Sequence, residues 1–247
     1  MTIPKTLGQI WIGPYPRPAR WMKTWKDKHP EWEYTIYDNS FLHNFEFRTQ
    51  RQIDELLKRG SYNGVADLMR YEILYNFGGF IPETDSICLK NTSELFVESK
   101  AYTVYENEFL RGKLVSPIMA CQPGNKFLKI LIEKLSATEP SQIRTPWKDT
   151  GNLFCALMID EYEPDIEIFP SDFFNPIHHL GIQKNPGNDP YAIQLWGSTK
   201  KRYGSVGLIY SLQERLKKHY RKKAERKAEK SNTSALSDWD HILKEYS

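Results

Sequence analysis

The sequence of 247 residues predicts an α/β fold with a mixed, mostly parallel sheet. Apolar and β-branched runs alternate with helical patterns along the chain, which is typical of such sheets. The clearest helix, at residues 63–77, runs through Gly78-Gly79 into a buried strand, and these glycines suit the left-handed end of a helix. With 40% hydrophobic and 26% charged residues, the chain has a globular composition and can bury a core without disulfides. Ligands are therefore expected at the carboxyl ends of the strands.

Each element follows from apolar spacing and from the glycines and prolines that end it. Residues 7–13 form an apolar run that Gly13-Pro14 stops, which predicts a buried first strand. Trp21, Met22 and Trp25 fall at helical spacing within residues 19–28. Further strands are predicted at residues 33–38, 80–81, 101–105, 115–121, 166–169 and 191–196. Further helices are predicted at residues 51–58, 126–135 and 150–161.

A basic segment near the C-terminus accounts for the formal net charge of +3. Residues 214–230 contain nine basic and three acidic residues, so the rest of the chain carries −3. A polar break follows at residues 231–234. We therefore expect a compact domain over residues 1–205 and a basic amphipathic helical extension over residues 206–247.

Three roles for this extension stay open. The extension either presents a solvated helix face, or binds peripherally to an anionic membrane surface, or binds nucleic acid. Leu208, Ile209, Leu212 and Leu216 form an apolar side that suits a membrane surface. Tyr220 is the only aromatic residue in the basic segment, which disfavours stacking on a single strand.

The sequence features that are typical of several protein classes are absent. No apolar run approaches the ~20 residues of a transmembrane helix, and the first residues do not resemble a secretory signal. Cys88, Cys121 and Cys155 lie far apart, so neither a zinc motif nor a disulfide framework is indicated. The nucleotide fingerprints GxGxxG and GxxxxGK(S/T) are absent. We expect a cytoplasmic protein, with a peripheral position at the inner face of a membrane as the alternative.

Glu83-Thr84-Asp85 is an acidic triplet directly after a predicted strand. In extended backbone alternate side chains point the same way, so Glu83 and Asp85 share one side. Two neighbouring carboxylates repel each other unless a cation lies between them, and oxygen ligands favour Mg²⁺ or Mn²⁺, which bind phosphate. The triplet therefore suggests a site for a metal-bound phosphate, and an acidic loop facing solvent is the alternative.

Asn63, Asp67 and Arg70 lie on one face of the helix predicted at residues 63–77. The apolar stripe occupies the other face. Asp67 is suited to accept hydrogen bonds from sugar hydroxyls, and Arg70 would hold Asp67 or reach substrate oxygens. The alternative is an exposed ion pair within the helix.

The run from Ala66 to Asp85 resembles the signature of DXD-motif glycosyltransferases of the family-32 type. This family includes yeast α-mannosyltransferases and bacterial and viral sugar transferases, and the clostridial glucosylating toxins are similar at a distance. From Asp67 onward the run is similar to the family pattern D-x-x-R-Y-x-x-L-Y-x-x-G-G-x-Y-x-D-x-D. Weaker matches occur in the family's order at residues 3–5, 9–13, 25, 30, 33–34, 105–108, 118–124, 150–151 and 191–198.

The resemblance implies a GT-A fold, a UDP- or GDP-sugar donor, Mn²⁺ or Mg²⁺, a glycan or glycolipid acceptor, and retention at the anomeric carbon. It places Trp11 against the donor base, with a core tryptophan as the alternative, and it places Trp196 and Ser198 over the diphosphate. The donor-binding residues that it implies are Trp11, Asn63, Asp67, Arg70, Glu83, Gln194, Trp196 and Ser198. The implied catalytic residues are Asp85, Glu83, Asp67 and Arg70, and the implied metal ligands are Asp85, Glu83 and Gln194.

Three features depart from the family pattern. Glu83 replaces the usual first Asp, and Gln194 replaces a His that helps to bind the metal. Ile81 and Pro82 replace an aromatic and an aliphatic residue, and the proline predicts an irregular strand end. These changes leave open a catalytically degenerate module that binds nucleotide sugars or glycans.

The acceptor side is the least defined part of the predicted site. Glu106, Asn107 and Asp149 are its candidates, and the pair His178-His179 is assigned to the surface, with a metal or base role as the alternative. The leading function is a metal-dependent retaining glycosyltransferase of polysaccharide or glycoconjugate biosynthesis. The alternatives are the degenerate module and a transferase that acts on nucleic acid through the basic extension.

Overall fold

The computed structural model describes residues 3–180, 182–184, 189–197 and 233–235. The strands are β1 Thr6–Ile10, β2 Glu33–Tyr37, β3 Gly79–Ile81, β4 Ser86–Cys88, β5 Ala101–Tyr105, β6 Val115–Cys121, β7 Ile166–Phe169, β8 Ile182–Lys184, β9 Ala192–Gln194 and β10 Thr233–Ala235. The α-helices are α1 Ala19–Lys28, α2 Asn39–Asn44, α3 Gln50–Lys58, α4 Tyr62–Phe77, α5 Glu108–Arg111, α6 Lys126–Ala137, α7 Pro146–Asp149 and α8 Asn152–Tyr162.

Within the described residues, six strands form the central sheet in the order β2-β1-β3-β6-β5-β7. Strand β1 is parallel to β2 and β3, strand β5 is parallel to β7, and β6 runs antiparallel to β3 and β5. This confirms the mixed, mostly parallel sheet. Because β1 and β3 are adjacent and parallel, the residues that follow them leave the sheet at the same edge.

Helix α4 lies on one face of the sheet and is buried on most of its sides. Ten of its 16 residues are buried, because α3 and α6 cover it where the sheet does not. Gly78 and Gly79 follow with φ of 66° and 95°, and a Cβ on Gly79 would lie 2.0 Å from Thr6 Oγ1. Glycine is therefore required for the chain to pass from α4 directly into β3. This turn fixes the helix against the acidic triplet.

Two hydrophobic cores support the two faces of the sheet. Along β6, Met119 and Cys121 belong to the core around α4, whereas Ile118 and Ala120 belong to an aromatic core. The buried aromatic residues of the second core are Trp25, Trp32, Phe80, Phe96, Tyr102, Phe169, Phe174 and Tyr191. Burial of one such side chain contributes about 1.5–3 kcal/mol. The strands that carry the site are therefore anchored on both sides.

A second, two-stranded sheet brings a distant segment to the site. Strand β4 pairs antiparallel with β9, and the register places Ser86 opposite Gln194. The backbone N–H of Leu195 also donates to the carbonyl oxygen of Asp85, at 2.8 Å. Residues 194–197 therefore form one wall beside the acidic triplet.

Several elements differ from those predicted, and β4, β8, α5 and α7 are additional to them. Helix α2 has no predicted counterpart, and Asp38 begins it by accepting hydrogen bonds from the N–H groups of Ser40 and Phe41. Strand β10, which pairs with β8, replaces part of the polar break predicted at residues 231–234. The basic segment of residues 214–230 lies outside the described residues. Among the helices that the structure describes, none has the length and apolar character needed to cross a membrane.

Candidate active site

A cleft of about 350 Å³ opens where β1 and β3 end. One wall follows β1, a second is the start of α4, and the acidic triplet forms the base. Its lining residues are Ile10, Trp11, Ile12, Tyr15, Gly60, Tyr62, Asn63, Ala66, Arg70, Pro82, Glu83, Thr84 and Asp85. This volume lies in the range of small-molecule sites.

Arg70 joins two of the predicted site carboxylates. Its guanidinium donates to Asp67 Oδ1 at 3.3 Å and forms a short ion pair with Glu83 Oε1. Asp67 and Arg70 are 8% and 4% exposed, so the alternative of an exposed helical ion pair is wrong. Sequence spacing placed them on a polar face, but the residues after β3 and before α8 cover that face.

Asp67 is further held by the segment before α8. Thr150 Oγ1 donates to Asp67 Oδ2 at 3.0 Å, and Tyr71 donates to the carbonyl oxygen of Thr150 at 2.7 Å. A Cβ on Gly151 would lie 2.8 Å from Asp67 Oδ2, so the close approach of this segment depends on glycine. Sequence reasoning noted the Thr150-Gly151 pair as a family feature but did not place it in the site.

The cleft concentrates negative charge. Burial raises the pKa of Asp67 to about 7; Arg70 opposes the rise and the charge of Glu83 adds to it. The pKa of Glu83 is also raised, first by burial, against the opposing effect of Arg70 and together with the charge of Asp85. Three carboxylates thus lie close together, and the guanidinium of Arg70 pairs with two of them, Asp67 and Glu83, so a bound cation would stabilise the arrangement.

Asp85 is fixed by the segment that follows β9. Its Oδ1 accepts a hydrogen bond from Gln194 Nε2 and its Oδ2 accepts one from the Gly197 N–H, both at 2.7 Å. Gln194 Oε1 is buried and has no hydrogen-bond partner among the described residues. A carboxylate and an unpaired amide oxygen are hard ligands, so Asp85 and Gln194 fit a divalent cation such as Mg²⁺ or Mn²⁺. Glu83 has one oxygen on Arg70, and its predicted role as a ligand stays a prediction.

Buried polar residues that sequence analysis missed hold the backbone of the triplet. Ser86 Oγ donates to the carbonyl oxygen of Glu83 at 2.6 Å, and Trp25 Nε1 donates to Ser86 Oγ at 3.0 Å. Gln9 is fully buried and its Nε2 lies 3.4 Å from the same carbonyl oxygen. A buried Gln in an apolar strand was the available sequence signal for this role.

Trp11 forms part of the cleft wall and is not a core residue. It is half-buried, and its Nε1 donates to the carbonyl oxygen of Tyr15 at 2.9 Å, which orients the indole. Tyr62 and Asn63 line the cleft at the start of α4. The position fits the predicted contact with a donor base, and that contact stays a prediction.

Trp196 is held by a contact with the loop before β8. Its Nε1 donates to the carbonyl oxygen of Ile177 at 2.8 Å, and its predicted place over the diphosphate stays a prediction. Residues 194–197 direct three donors to Asp85: Gln194 Nε2, the Leu195 N–H and the Gly197 N–H. Ser198 lies outside the described residues.

The acceptor-side candidates have defined contacts. Asn107 accepts a hydrogen bond from the Leu110 N–H and begins α5, and Asp149 accepts from the N–H groups of Arg144 and Thr145, so both stabilise local backbone. Glu106 is buried and accepts from Asn152 Nδ2 at 2.8 Å.

The surface assignment of the histidine pair is wrong for His178. This side chain is fully buried, and its Nε2 lies 3.3 Å from Glu106 Oε1. His179 beside it is half-buried. The loop context had indicated exposure, but the chain that returns through β9 covers these residues with Trp196.

Comparison with known proteins gives a family model that matches part of the chain. Residues 17–102 match the family model described as "Glycosyltransferase sugar-binding region containing DXD motif". The matched segment contains α4 and the acidic triplet but neither Trp11 nor Gln194. Comparison with curated protein sequences gives no significant match.

Two solved structures show the same fold. The chain is similar to "PaToxG Glycosyltransferase", with 12% identity and a TM-score of 0.54 over 66% of this chain and 70% of that chain. It is also similar to the UDP-bound glycosyltransferase domain from the YGT toxin, with 10% identity and a TM-score of 0.50 over 68% of this chain and 79% of that one. The fold is therefore that of GT-A glycosyltransferase domains. Together, the matched DXD region and this fold support a glycosyltransferase.

Proposed function

We propose that the protein is a metal-dependent retaining glycosyltransferase that moves a sugar from a nucleotide-sugar donor to a glycan or glycolipid acceptor. The observation that carries the proposal is a cleft bordered by Trp11 in which Arg70 pairs with Asp67 and Glu83 beside Asp85. The cleft combines an aromatic wall for a base, buried hydrogen-bonding groups for a sugar, and hard ligands for a cation.

Each part of the donor has a proposed contact. The base stacks on Trp11, and the sugar hydroxyls bind Asp67 and Arg70, which Thr150 holds in place. Asp85 and Gln194 hold a divalent cation, which supplies stabilisation of negative charge on the departing diphosphate. The UDP bound to the YGT toxin domain makes UDP-sugars the first donors to test.

Retention at the anomeric carbon is proposed from the hydrogen bonds that the buried carboxylate of Asp67 already accepts. Both oxygens of Asp67 already accept hydrogen bonds, from Arg70 and Thr150, which suits a group that positions a sugar. The diphosphate is itself a good leaving group, so a nucleophilic carboxylate is not required. The acceptor hydroxyl then enters on the face from which the diphosphate departs, and its proton passes to a phosphate oxygen.

Donor hydrolysis in the absence of an acceptor tests the proposal. A panel of UDP- and GDP-sugars is incubated with the protein, with Mn²⁺ or with a chelator, and release of nucleoside diphosphate is measured. We expect Mn²⁺-dependent release that Asp85→Asn reduces by about 100-fold or more, as loss of a charge-stabilising group does. Asp54→Asn, on the exposed surface of α3, is the control and should retain wild-type release.

A degenerate binding module is the second candidate, and specific contacts favour it. Gln194 Nε2 donates to Asp85, and Arg70 is paired with Glu83, so both acids of the triplet already have protein partners. Thermal shifts with the same donor panel distinguish the two functions. Stabilisation by a nucleotide sugar without any hydrolysis or transfer would support the module and contradict the enzyme.

The basic segment of residues 214–230 is proposed to bring the enzyme to an anionic membrane surface, where a glycolipid acceptor would lie. Co-sedimentation with vesicles that contain an anionic lipid, at two salt concentrations, tests this contact. Binding to DNA in its place would support the nucleic-acid alternative.

A further inference from the structure

Glu106, His178 and His179 form a cluster beside the donor cleft. Glu106 directly follows β5, and the two histidines lie in the loop before β8. One ligand atom from each residue can be chosen so that all three lie within 4.8 Å of one another. Glu106 and His178 are buried and His179 is half-buried, so the cluster is reached from the side of His179.

We propose that Glu106, His178 and His179 bind one transition-metal ion of the Zn²⁺ type, at a site separate from the cation site at Asp85. Two imidazoles and one carboxylate form a ligand set of intermediate hardness. Zn²⁺ sites with three protein ligands commonly have this composition. Asp85 and Gln194 offer oxygen atoms alone and suit a harder cation. The two sites therefore select different metals.

The distances fit this assignment. Ligand atoms about 2.1 Å from one tetrahedral ion lie about 3.4 Å apart. His178 Nε2 and Glu106 Oε1 are 3.3 Å apart, so these two already have the required separation. The ligand atoms of all three residues lie within 4.8 Å of one another, so a shift of about 1 Å at His179 would complete the set.

The surroundings orient the carboxylate as metal sites require. Asn152 Nδ2 donates to Glu106 Oε2 at 2.8 Å and leaves Oε1 directed at the histidines. Burial acts to raise the pKa of Glu106, but the hydrogen bond from His178 and the charge of Arg111 hold it below its usual value. The hydrogen bond from Asn152 is an outer contact of the kind that fixes the direction of a metal ligand.

Two neighbours must adjust when the ion binds. The Leu180 N–H lies 3.4 Å from His178 Nδ1, and this long contact is lost when Nε2 binds metal and Nδ1 carries the proton. Arg111 Nε lies 3.7 Å from Glu106 Oε1, but the side chain is 38% exposed and also lies over Trp147. Its charge can therefore move into solvent.

The proposed ion also connects to the donor cleft through Trp196. The indole packs edge-on against the rings of His178 and His179, at 5.7 and 5.4 Å between centroids. Trp196 has a φ of 56°, an unusual value for a non-glycine residue, and the next residue, Gly197, donates to Asp85. An ion that fixes both histidines therefore stabilises the backbone that holds Asp85.

Titration with Zn²⁺ alone tests the proposal. The untagged full chain is stripped with a chelator, dialysed, and titrated with Zn²⁺ in competition with a chromophoric chelator. We expect one tight site in the wild type. Glu106→Gln and His179→Ala should weaken it by more than about 100-fold, beyond the cost of typical changes to outer contacts.

Two control variants separate this site from other metal-binding groups. His43→Ala removes an exposed histidine of α2, and Asp85→Asn removes the ligand of the donor cleft, so both should retain the tight site. Circular dichroism of every variant establishes that it is folded, and Co²⁺ in place of Zn²⁺ should give the visible absorption of a four- or five-coordinate ion.

A wild-type chain without a tight site, or folded ligand variants with unchanged affinity, would overturn the proposal. Because no sugar donor is used, this outcome is independent of whether the protein is a glycosyltransferase.

Discussion

Substitution of Asp67 by Asn should make the metal-free protein more stable at pH 8 while removing donor binding. Folding buries the carboxyl group and raises its pKa from 3.8 to about 7. The native state therefore binds the proton more tightly than the unfolded state does. The contribution of the Asp67 carboxyl group to the free energy of unfolding is therefore highest below pH 4. It falls as the pH rises towards 7 and stays constant above pH 7.

The size of the effect follows from that pKa difference. A shift from 3.8 to about 7 corresponds to about 4 kcal/mol at about 1.4 kcal/mol per unit. This is an upper limit, because Asp67→Asn also leaves Arg70 with Glu83 as its only remaining carboxylate partner among the described residues. We expect a gain of about 1–3 kcal/mol at pH 8, less than about half of that at pH 5, and little gain at pH 4.

Urea unfolding of the metal-free protein at pH 5 and pH 8 measures this difference. The free energy of unfolding of the wild type should fall from pH 5 to pH 8, and that of Asp67→Asn should fall markedly less. The surface variant Asp54→Asn should behave as the wild type does. Calorimetric titration with a nucleotide sugar should give no binding to Asp67→Asn. If Asp67→Asn were less stable than the wild type by the same amount at pH 5 and at pH 8, the argument from the raised pKa of Asp67 would be refuted.

Two further changes test the walls of the cleft. Trp11→Ala should weaken nucleotide binding by about 1–3 kcal/mol, the contribution of one base stacked on an aromatic ring, while Trp11→Phe keeps most of it; unchanged calorimetric affinity in the Ala variant would contradict the stacking role. Gly151→Ala brings a Cβ to 2.8 Å from Asp67 Oδ2 and should lower both donor turnover and the free energy of unfolding, by about 1–3 kcal/mol for the latter. Leu157→Ala, on the exposed side of α8, is its control and should leave turnover unchanged.

The central part of the site was predictable because its signals are local. Apolar spacing defined α4, the glycine pair defined its end, and the acidic triplet followed directly. The mostly parallel sheet also followed from the order of short apolar runs and helices. These features depend on residues that are neighbours in sequence, where periodicity and turn chemistry are informative.

The features that were missed depend on contacts between distant segments. Asp67 and Arg70 are buried because Thr150 and Gly151 pack over a helix face that looks polar in isolation. His178 is buried because the chain returns through β9 and places Trp196 over it. Spacing within one element contains no information about which later segment covers it. The family resemblance indicated the relevant segments, but it did not give these hydrogen bonds.

The first acid of the triplet illustrates how a departure from a pattern can be explained by geometry. Glu83 is one methylene longer than the Asp that the family pattern has at this position, and its carboxylate forms an ion pair with Arg70 on α4. Asp85, two residues later, is turned towards Gln194 and Gly197. The longer side chain therefore connects the triplet to the helix, and the shorter one accepts hydrogen bonds from Gln194 Nε2 and the Gly197 N–H. Under the proposed function, this division would leave Asp85 as the cation ligand while the first acid positions Arg70 for the donor sugar.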